Sequence, residues 1–352
     1  MNAFRLTLAQ LNPTIGDIDG NIGLMCRAAA QAHAEQAQMV VFPELSLTGY
    51  PPGDLLDEAD FIERAAAGLD TLLAASHATP GLCWVVGAPM QRSGPGKPLE
   101  NCLLVLRDGA LLLRYAKQLL PTYNVFDERR HFEPGPDVAR ILRVDGTQVG
   151  FLICEDGWND AGSDYAVNPF SRLADARPDL LVTINASPSN IGKREQRHRL
   201  FAAASQRHQI PLVYVNQIGG HDQLVFDGAS FAVSPAAGVV FEAPRFVEAV
   251  STLQWDGTNF LSATGEALPP VAAEGLPVME FYRRQIVLGL RDYARRCGFS
   301  SAVVGSSGGI DSALTLALAV EALGADHVVA ITMPSSFSTP GSVDDSEVLC
   351  RR

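Results

Sequence analysis

Residues 149–158 read V-G-F-L-I-C-E-D-G-W, which predicts a buried strand that ends in a cysteine. A short apolar run bounded by a turn signal is typical of a strand inside a sheet. Cys154 would then lie at the carboxyl end of its strand, where open α/β sheets place their ligands. This position makes Cys154 a candidate nucleophile. The alternative is a core cysteine, since free cysteines are among the most buried residues.

The segments around this strand predict a layered α/β domain, because strands alternate with helices. Asn21 is a candidate cap for a helix that runs to about residue 38. Hairpins are predicted at Arg107-Asp108-Gly109 and within residues 229–241. The other predicted strands are 4–11, 39–42, 82–87, 180–184 and 212–216.

The composition excludes several classes of function. The chain has 352 residues and a formal net charge of −12, which argues against general nucleic-acid binding. No apolar run approaches the roughly 18 residues that cross a bilayer, so no membrane role is predicted. The first residues lack a secretory signal, and the 6 cysteines are scattered without a close pair. Both features favour a cytoplasmic protein with reduced thiols.

Three polar residues at strand ends or in loops after strands form a candidate catalytic group. Glu44 lies in F-P-E-L, Lys117 in Y-A-K-Q-L-L-P, and Cys154 in I-C-E-D. A cation lowers the pKa of a thiol, and a carboxylate can accept its proton. The alternatives are a helix cap for Glu44 and a solvated loop charge for Lys117.

Three ordered motifs resemble the nitrilase superfamily. They are F-P-E-L-S-L-T-G-Y-P, K-Q-L-L-P-T-Y-N-V-F-D-E-R-R-H-F and L-I-C-E-D-G-W. The resemblance implies a four-layer α-β-β-α sandwich over residues 1–250. It also implies that Cys154 forms a glutamyl thioester, that Glu44 is the general base, and that Lys117 favours the thiolate and stabilises the oxyanion. Glu128 matches a second carboxylate of the superfamily, which implies that it orients the lysine or the glutamine substrate, and it is counted with the glutamine-binding residues; the alternative is an exposed loop acid.

The resemblance also implies a glutamine-binding group. Ser187 and Lys193, in N-A-S-P-S-N-I-G-K-R-E, would contact the substrate, with Tyr123 beside them. A lysine suits a carboxylate, and hydroxyl groups supply hydrogen bonds. The superfamily often has arginine at the position of Lys193, so this sequence departs from the family pattern there. The alternative for these residues is a helix cap and a solvated basic helix start.

A second domain is predicted after a linker rich in Gly, Pro, Ala and Thr at residues 251–277. Residues 305–312 read G-S-S-G-G-I-D-S between a short strand and a helix. Backbone N–H groups at a helix start, with hydroxyls nearby, form an anion cradle. The loop is neither a Walker P-loop nor a dinucleotide fingerprint. The alternative is a structural Gly/Ser turn.

This loop resembles the S-G-G-x-D-S loop of the ATP pyrophosphatase superfamily. The resemblance implies a Rossmann-like, adenine-nucleotide α-hydrolase-like domain that binds ATP and Mg²⁺, with Asp311 as the metal-linked residue. Met333-Pro334-Ser335 would lie near the adenine. The implied ATP-binding residues are Gly305, Ser306, Ser307, Gly308, Gly309, Ile310, Asp311, Ser312 and Met333.

The two motif sets in this order resemble the family of glutamine-dependent NAD synthetases. The family's reaction converts deamido-NAD, ATP and glutamine to NAD, AMP, pyrophosphate and glutamate, and its members usually form homo-oligomers. Residues 278–352 supply about one β-α-β unit, so we expect this chain to be part of a longer protein. The alternatives are a free-acting amidase with an unused nucleotide domain, and a non-enzymatic nucleotide-binding scaffold.

Overall fold

The computed structural model describes residues 3–334 and 340–351. The chain forms two compact units. The first consists of Met1–Ile218 and Phe226–Gly275, and the second of Gly219–Val225 and Leu276–Arg352. Among the described residues, no helix combines the length and the apolar character that crossing a membrane requires.

Strands β1 to β15 lie between residues 4 and 262. In chain order they are β1 Phe4–Gln10, β2 Met39–Val41, β3 Cys83–Gln91, β4 Leu99–Arg107, β5 Ala110–Ala116, β6 Ile141–Val144, β7 Thr147–Ile153, β8 Leu180–Asn185, β9 Leu212–Asn216, β10 Ile218–His221, β11 Leu224–Asp227, β12 Phe231–Ser234, β13 Gly238–Glu242, β14 Ala249–Trp255 and β15 Phe260–Ser262. They form a seven-stranded sheet in the order β15-β14-β1-β2-β3-β4-β5 and a six-stranded sheet in the order β13-β12-β9-β8-β7-β6. A two-stranded ribbon pairs β10 with β11.

The first unit has four layers, as the sequence predicted. Helices α1 (Ile18–Ala34) and α2 (Ala59–Ser76) pack on the seven-stranded sheet, and α3 (Pro169–Asp175) and α4 (Lys193–His208) pack on the six-stranded sheet. Apolar side chains from both sheets form one buried core between them. The layers follow because each sheet and each helix must bury its apolar face against another element.

The functional loops start at the carboxyl ends of parallel strands. β1, β2 and β3 are parallel to each other, and so are β7, β8 and β9. The turn with Glu44 follows β2, Cys154 follows β7, and Ser187 follows β8 closely. The N–H of Glu44 donates to the Asn185 carbonyl at 3.4 Å, which joins the β2 turn to the end of β8.

Two sequence predictions in the first unit need correction. Asp17 caps α1, because its carboxylate accepts from the Gly20 N–H. Asn21 is buried inside the helix and donates to the carbonyls of Thr14 and Leu47 instead.

The linker was predicted to start at residue 251, but β14 and β15 belong to the seven-stranded sheet. The strand β14 exists because it pairs antiparallel with β1.

The second unit contains one β-α-β arrangement. Its elements are α5 (Val278–Arg296), β16 (Ala302–Gly305), α6 (Ile310–Leu323), β17 (Val328–Ile331) and α7 (Pro340–Cys350). The two strands are parallel, so their carboxyl ends lie at the same edge. The loop of residues 305–312 starts at that edge and leads into α6.

Candidate active site

Cys154 lies where the sequence placed it, directly after β7. It begins a short 3-10 turn, Cys154–Gly157, and has a φ of 43°. Positive φ is uncommon for a residue with a side chain and often occurs at functional turns. Cys154 is buried, as the core-cysteine alternative also required. Its charged neighbours, however, distinguish it from an ordinary core cysteine.

Lys117 joins two carboxylates in a buried cluster. Its Nζ lies 2.7 Å from Glu44 Oε1, 2.7 Å from Glu128 Oε1 and 2.9 Å from Glu128 Oε2. The hydroxyl of Tyr50 also donates to Glu128, at 2.9 Å. Lys117 is therefore not a solvated loop charge, and Glu128 is not an exposed loop acid.

The carboxylate of Glu44 is held on both oxygens. Oε1 accepts from Asn101 Nδ2 at 2.8 Å in addition to Lys117, and Oε2 accepts from the Ala186 N–H at 3.1 Å. Glu44 is completely buried and caps no helix. Its orientation is fixed by groups from three separate parts of the chain.

Burial dominates the electrostatics of this cluster. It raises the pKa of the Cys154 thiol, the charge of Glu44 raises it further, and Lys117 opposes both. The expected effect of Lys117 on the thiol is present, but it does not outweigh burial. Burial opposes the charge of Lys117 itself, yet Glu128 and Glu44 raise the pKa of that ammonium well above its usual value. Burial raises the pKa of Glu128 to about 7.

Asp156 ties the cysteine turn to the segment that carries Lys117. Oδ1 accepts from the N–H groups of Gln118 at 3.0 Å and Leu119 at 2.8 Å. Oδ2 accepts from the Tyr115 hydroxyl at 2.7 Å. Burial raises the pKa of Asp156 to about 6, although these hydrogen bonds oppose the rise. Sequence reasoning missed this role, although the C-E-D motif contains the residue.

One predicted glutamine-binding residue, Tyr123, bonds to a second carboxylate that sequence reasoning also missed. Glu155 follows the cysteine and accepts hydrogen bonds from Tyr123 at 2.9 Å and from Tyr165 at 2.8 Å. Tyr123 is 47% exposed, so its ring faces solvent at the edge of the site. The sequence signal for Glu155 is its position directly after Cys154, the candidate nucleophile.

Ser187 and Lys193 are also in this region. Ser187 is buried, and its N–H donates to Asn216 Oδ1 at 2.9 Å. The Nζ of Lys193 lies 3.8 Å from the centroid of the Trp158 ring, a cation–π contact. Burial and then Arg197 lower the pKa of Lys193, while Cys154 and Glu155 raise it. Of the four predicted glutamine-binding residues, Tyr123 bonds to Glu155, Lys193 lies close enough to Cys154 and Glu155 to interact with their charges, and Glu128 belongs to the Lys117 cluster.

The second unit brings part of the predicted ATP-binding loop to a cavity of about 210 Å³. Gly305, Ser306, Ser307 and Met333 line it, together with Thr332, Pro334, Ser342 and Val343. Gly308, Gly309, Ile310, Asp311 and Ser312 do not line the cavity but form the loop and the start of α6. Ser335 lies outside the described residues.

The loop is internally bonded. Ser312 Oγ accepts from the Ser307 N–H at 3.1 Å and donates to the Gly309 carbonyl at 2.9 Å. Asp311 is exposed in the first turn of α6. The part of the chain that the structure describes contains one group of three or more possible metal ligands, Asp54, Asp57 and His131, and Asp311 is not in it.

Comparisons with known proteins identify the class. The carbon-nitrogen hydrolase family model matches residues 5–258, and the NAD synthase model matches residues 282–352. The chain therefore belongs to the carbon-nitrogen hydrolase family. An amidase from Nesterenkonia sp. has the same fold over 72% of this chain and 91% of its own, with 24% identity and a TM-score of 0.64.

Relatives that match along the whole chain are glutamine-dependent NAD(+) synthetases. The one from Synechocystis sp. is 39% identical over 99% of this chain, and the one from Acinetobacter baylyi is 36% identical over 100%. The solved structure of the Acinetobacter baumannii enzyme, in complex with ADP, has 34% identity, a TM-score of 0.87 and covers 98% of this chain. This chain spans 62% of the length of each of these relatives.

Proposed function

We propose that the protein is a glutamine-dependent NAD synthetase, in which the first unit hydrolyses glutamine and the second belongs to the ATP-dependent half. The observation that carries this proposal is the buried Glu44–Lys117–Glu128 cluster beside Cys154. Two carboxylates and one ammonium held together without solvent are unusual unless they serve chemistry. The whole-length similarity to glutamine-dependent NAD(+) synthetases supports the same function.

In the proposed glutaminase step, Cys154 Sγ attacks the side-chain amide carbon of glutamine. Glu44 takes the thiol proton, which the raised pKa of the thiol makes necessary. Lys117 stabilises the negative charge that develops on the amide oxygen. The proton passes to the amide nitrogen, the carbon–nitrogen bond breaks, and ammonia leaves a thioester. Glu44 then deprotonates a water that attacks the thioester carbon. The carbon–sulfur bond breaks, glutamate leaves, and the Cys154 thiolate takes the proton back from Glu44.

Glutamine is recognised by groups of opposite charge at its two polar ends. Lys193 and Ser187 suit the α-carboxylate, and Glu155 suits the α-ammonium. Tyr123 and Tyr165 orient Glu155 by donating to its oxygens. An amide that lacks either end would lose these contacts, which is how the site would prefer glutamine over simple amides.

In the second unit, ATP would bind in the cavity of about 210 Å³ at the carboxyl ends of β16 and β17. The loop N–H groups and the start of α6 suit phosphate oxygens. Asp311 fits Mg²⁺ as a single carboxylate ligand, because Mg²⁺ commonly takes one or two carboxylates together with substrate phosphates. The bound metal would neutralise phosphate charge during adenylation of deamido-NAD.

The ammonia released from glutamine would then amidate the adenylated deamido-NAD to give NAD and AMP. We also propose that the protein acts in the cytoplasm as a homo-oligomer. The 6 free cysteines, with no disulfide, suit a reducing compartment.

The test replaces Cys154 by alanine in the full-length protein. Glutamine-dependent NAD formation should fall by at least a thousandfold, because the covalent step is lost, while NAD formation from added ammonium should persist. Production of NAD from both nitrogen sources is measured with deamido-NAD and ATP. Loss of both activities, or an unchanged glutamine-dependent rate, would contradict the proposal. Hydrolysis of diverse amides without ATP-dependent NAD formation would favour a free-acting amidase.

A further inference from the structure

Arg197 is one of the largest fully buried side chains in the described part of the chain. It lies on α4, one turn after Lys193, where the sequence suggested a solvated basic helix start. A buried guanidinium is unfavourable unless charged or polar partners surround it. The partners of Arg197 therefore indicate why the protein keeps it there.

Asp227 and Arg245 anchor the guanidinium. Arg197 Nη1 donates to Asp227 Oδ1 at 2.9 Å, and Arg245 donates to Asp227 Oδ2 at 3.0 and 2.8 Å. Burial opposes the negative charge of Asp227, but the two guanidiniums outweigh it and lower the pKa of the carboxyl. Both guanidiniums are charged at neutral pH, and they flank the one carboxylate of Asp227.

The rest of the guanidinium holds Ser187. Arg197 Nε donates to Ser187 Oγ at 3.2 Å, and Nη2 donates to the carbonyls of Ser187 at 2.7 Å and Pro188 at 3.0 Å. Because Ser187 Oγ accepts from Arg197, the hydroxyl proton is directed away from the guanidinium. Ser187 is thereby prepared as a hydrogen-bond donor, which suits an anion and not an ammonium group.

We propose that Arg197 is a positioning residue that fixes Ser187 as a donor to the α-carboxylate of glutamine. This inference rests on the proposed glutaminase function and deepens it. Arg197 acts in two ways: it sets the direction of the Ser187 hydroxyl, and it adds buried positive charge behind the carboxylate site formed with Lys193. Among the described residues no hydrogen bond joins Arg197 to Cys154, although the charges of the two groups interact.

The test compares two substrates in the full-length protein, glutamine and 4-aminobutanamide, which has the same amide and amine but no carboxylate. Arg197→Lys keeps the positive charge but removes the guanidinium group, which donates to Ser187 and Asp227 at the same time. We expect kcat/KM for glutamine to fall roughly ten- to a hundredfold, mainly through KM. The value for 4-aminobutanamide should change less than about threefold, since that substrate never used the contact.

A double-variant cycle separates positioning from an independent effect. Ser187→Ala should reproduce the selective loss for glutamine, and Arg197→Lys added to it should cause little further loss. The matched control is Arg194→Lys. Arg194 is also buried on α4, but it pairs with Glu242 and the Ala272 carbonyl and should leave the ratio of the two substrates unchanged.

Equal losses for both substrates, or fully additive effects of the two substitutions, would overturn the inference. Thermal unfolding reports whether each variant folds. If Arg197→Lys does not fold, Asp227→Asn keeps Arg197 but weakens its anchor, and it should give a smaller loss with the same substrate selectivity. Absence of any Cys154-dependent glutamine hydrolysis in the unaltered protein would instead reject the proposed function, and the inference with it.

Discussion

Lys117 keeps its charge inside the protein because two carboxylates contact it. Three ionisable groups, Glu44, Lys117 and Glu128, share one dry cluster, so their charges balance only if one carboxyl holds a proton. Burial raises the pKa of Glu128 to about 7, so Glu128 takes up a proton far more readily than an exposed carboxyl does. A proton on Glu128 would leave Lys117 paired with Glu44, the group that accepts the proton of Cys154 in the proposed mechanism.

This arrangement predicts a pH-dependent contribution to stability. Because the pKa of Glu128 is raised in the folded state, the folded protein binds more protons than the unfolded chain between about pH 4.5 and 7. Stability from this group is therefore lost as pH rises through that window, by on the order of 3 kcal/mol. Glu128→Gln should remove this loss. In urea unfolding from pH 4.5 to 7.5, the unfolding free energy of the variant should therefore rise relative to that of the unaltered protein.

The control for this prediction is Glu63→Gln, at an exposed position of α2. Its unfolding free energy should follow that of the unaltered protein across the pH range. Parallel curves for Glu128→Gln and the unaltered protein would show that folding does not shift the pKa of Glu128, which would contradict the prediction.

The turn after β2 holds Glu44 only because β3 approaches it very closely. Leu45 has a φ of 46°, and its turn is held by the Leu47 N–H, which donates to the Gly87 carbonyl at 3.1 Å. A Cβ on Gly87 would lie 2.3 Å from the Leu45 nitrogen and 2.7 Å from the Pro43 carbonyl oxygen. Strand β3 therefore needs glycine at this position to leave room for the turn that carries Glu44, the proposed general base.

Gly87→Ala should displace the Glu44 turn. Backbone atoms cannot move aside as a flexible side chain would, so we expect a loss of roughly 1–3 kcal/mol in unfolding free energy. Glutamine hydrolysis should fall by more than about tenfold, because small displacements of catalytic groups are costly. The control is Gly23→Ala in α1, where a Cβ meets only an arginine side chain at 3.5 Å. Undiminished hydrolysis by Gly87→Ala would show that the base tolerates the shift.

At the scale of the whole molecule, the two candidate sites belong to separate units. The thiol and its carboxylates lie in the first unit, and the loop of residues 305–312 lies in the second. The described part of the second unit has one pair of parallel strands. The loop depends on a close contact of its own: Gly308 has a φ of 79°, and a Cβ there would lie 2.4 Å from the Ser342 carbonyl oxygen.

Gly308→Ala should weaken ATP binding by at least about tenfold without affecting the thiol site. The strain falls on contacts within the second unit, so labelling of Cys154 by an alkylating glutamine analogue, without nucleotide, should keep its rate. Calorimetry measures ATP binding, and mass spectrometry measures labelling. Gly341→Ala is the control, because a Cβ at Gly341 meets nothing within 4 Å. A parallel fall in labelling would contradict the separation of the two sites.

The sequence by itself determined the features that depend on local chemistry. The apolar run before Cys154 forms β7, and Asp108-Gly109 form the hairpin turn, with φ values of 49° and 79°. Both follow from residues next to each other in the chain, since strand propensity and positive φ are local properties. The order of the three motifs likewise indicated Glu44, Lys117 and Cys154 as partners before any contact was known.

Only the tertiary structure decided which charges are buried and which strands pair. Residues 249–255 become β14 because β1 lies beside them, and Arg197 is buried because Asp227 and Arg245 balance its charge. The roles of Glu155 and Asp156 depend on tyrosines and N–H groups from distant loops. The physical reason is that the energy of a charged or unpaired group depends on what packs against it. Those neighbours are supplied by parts of the chain far away in sequence.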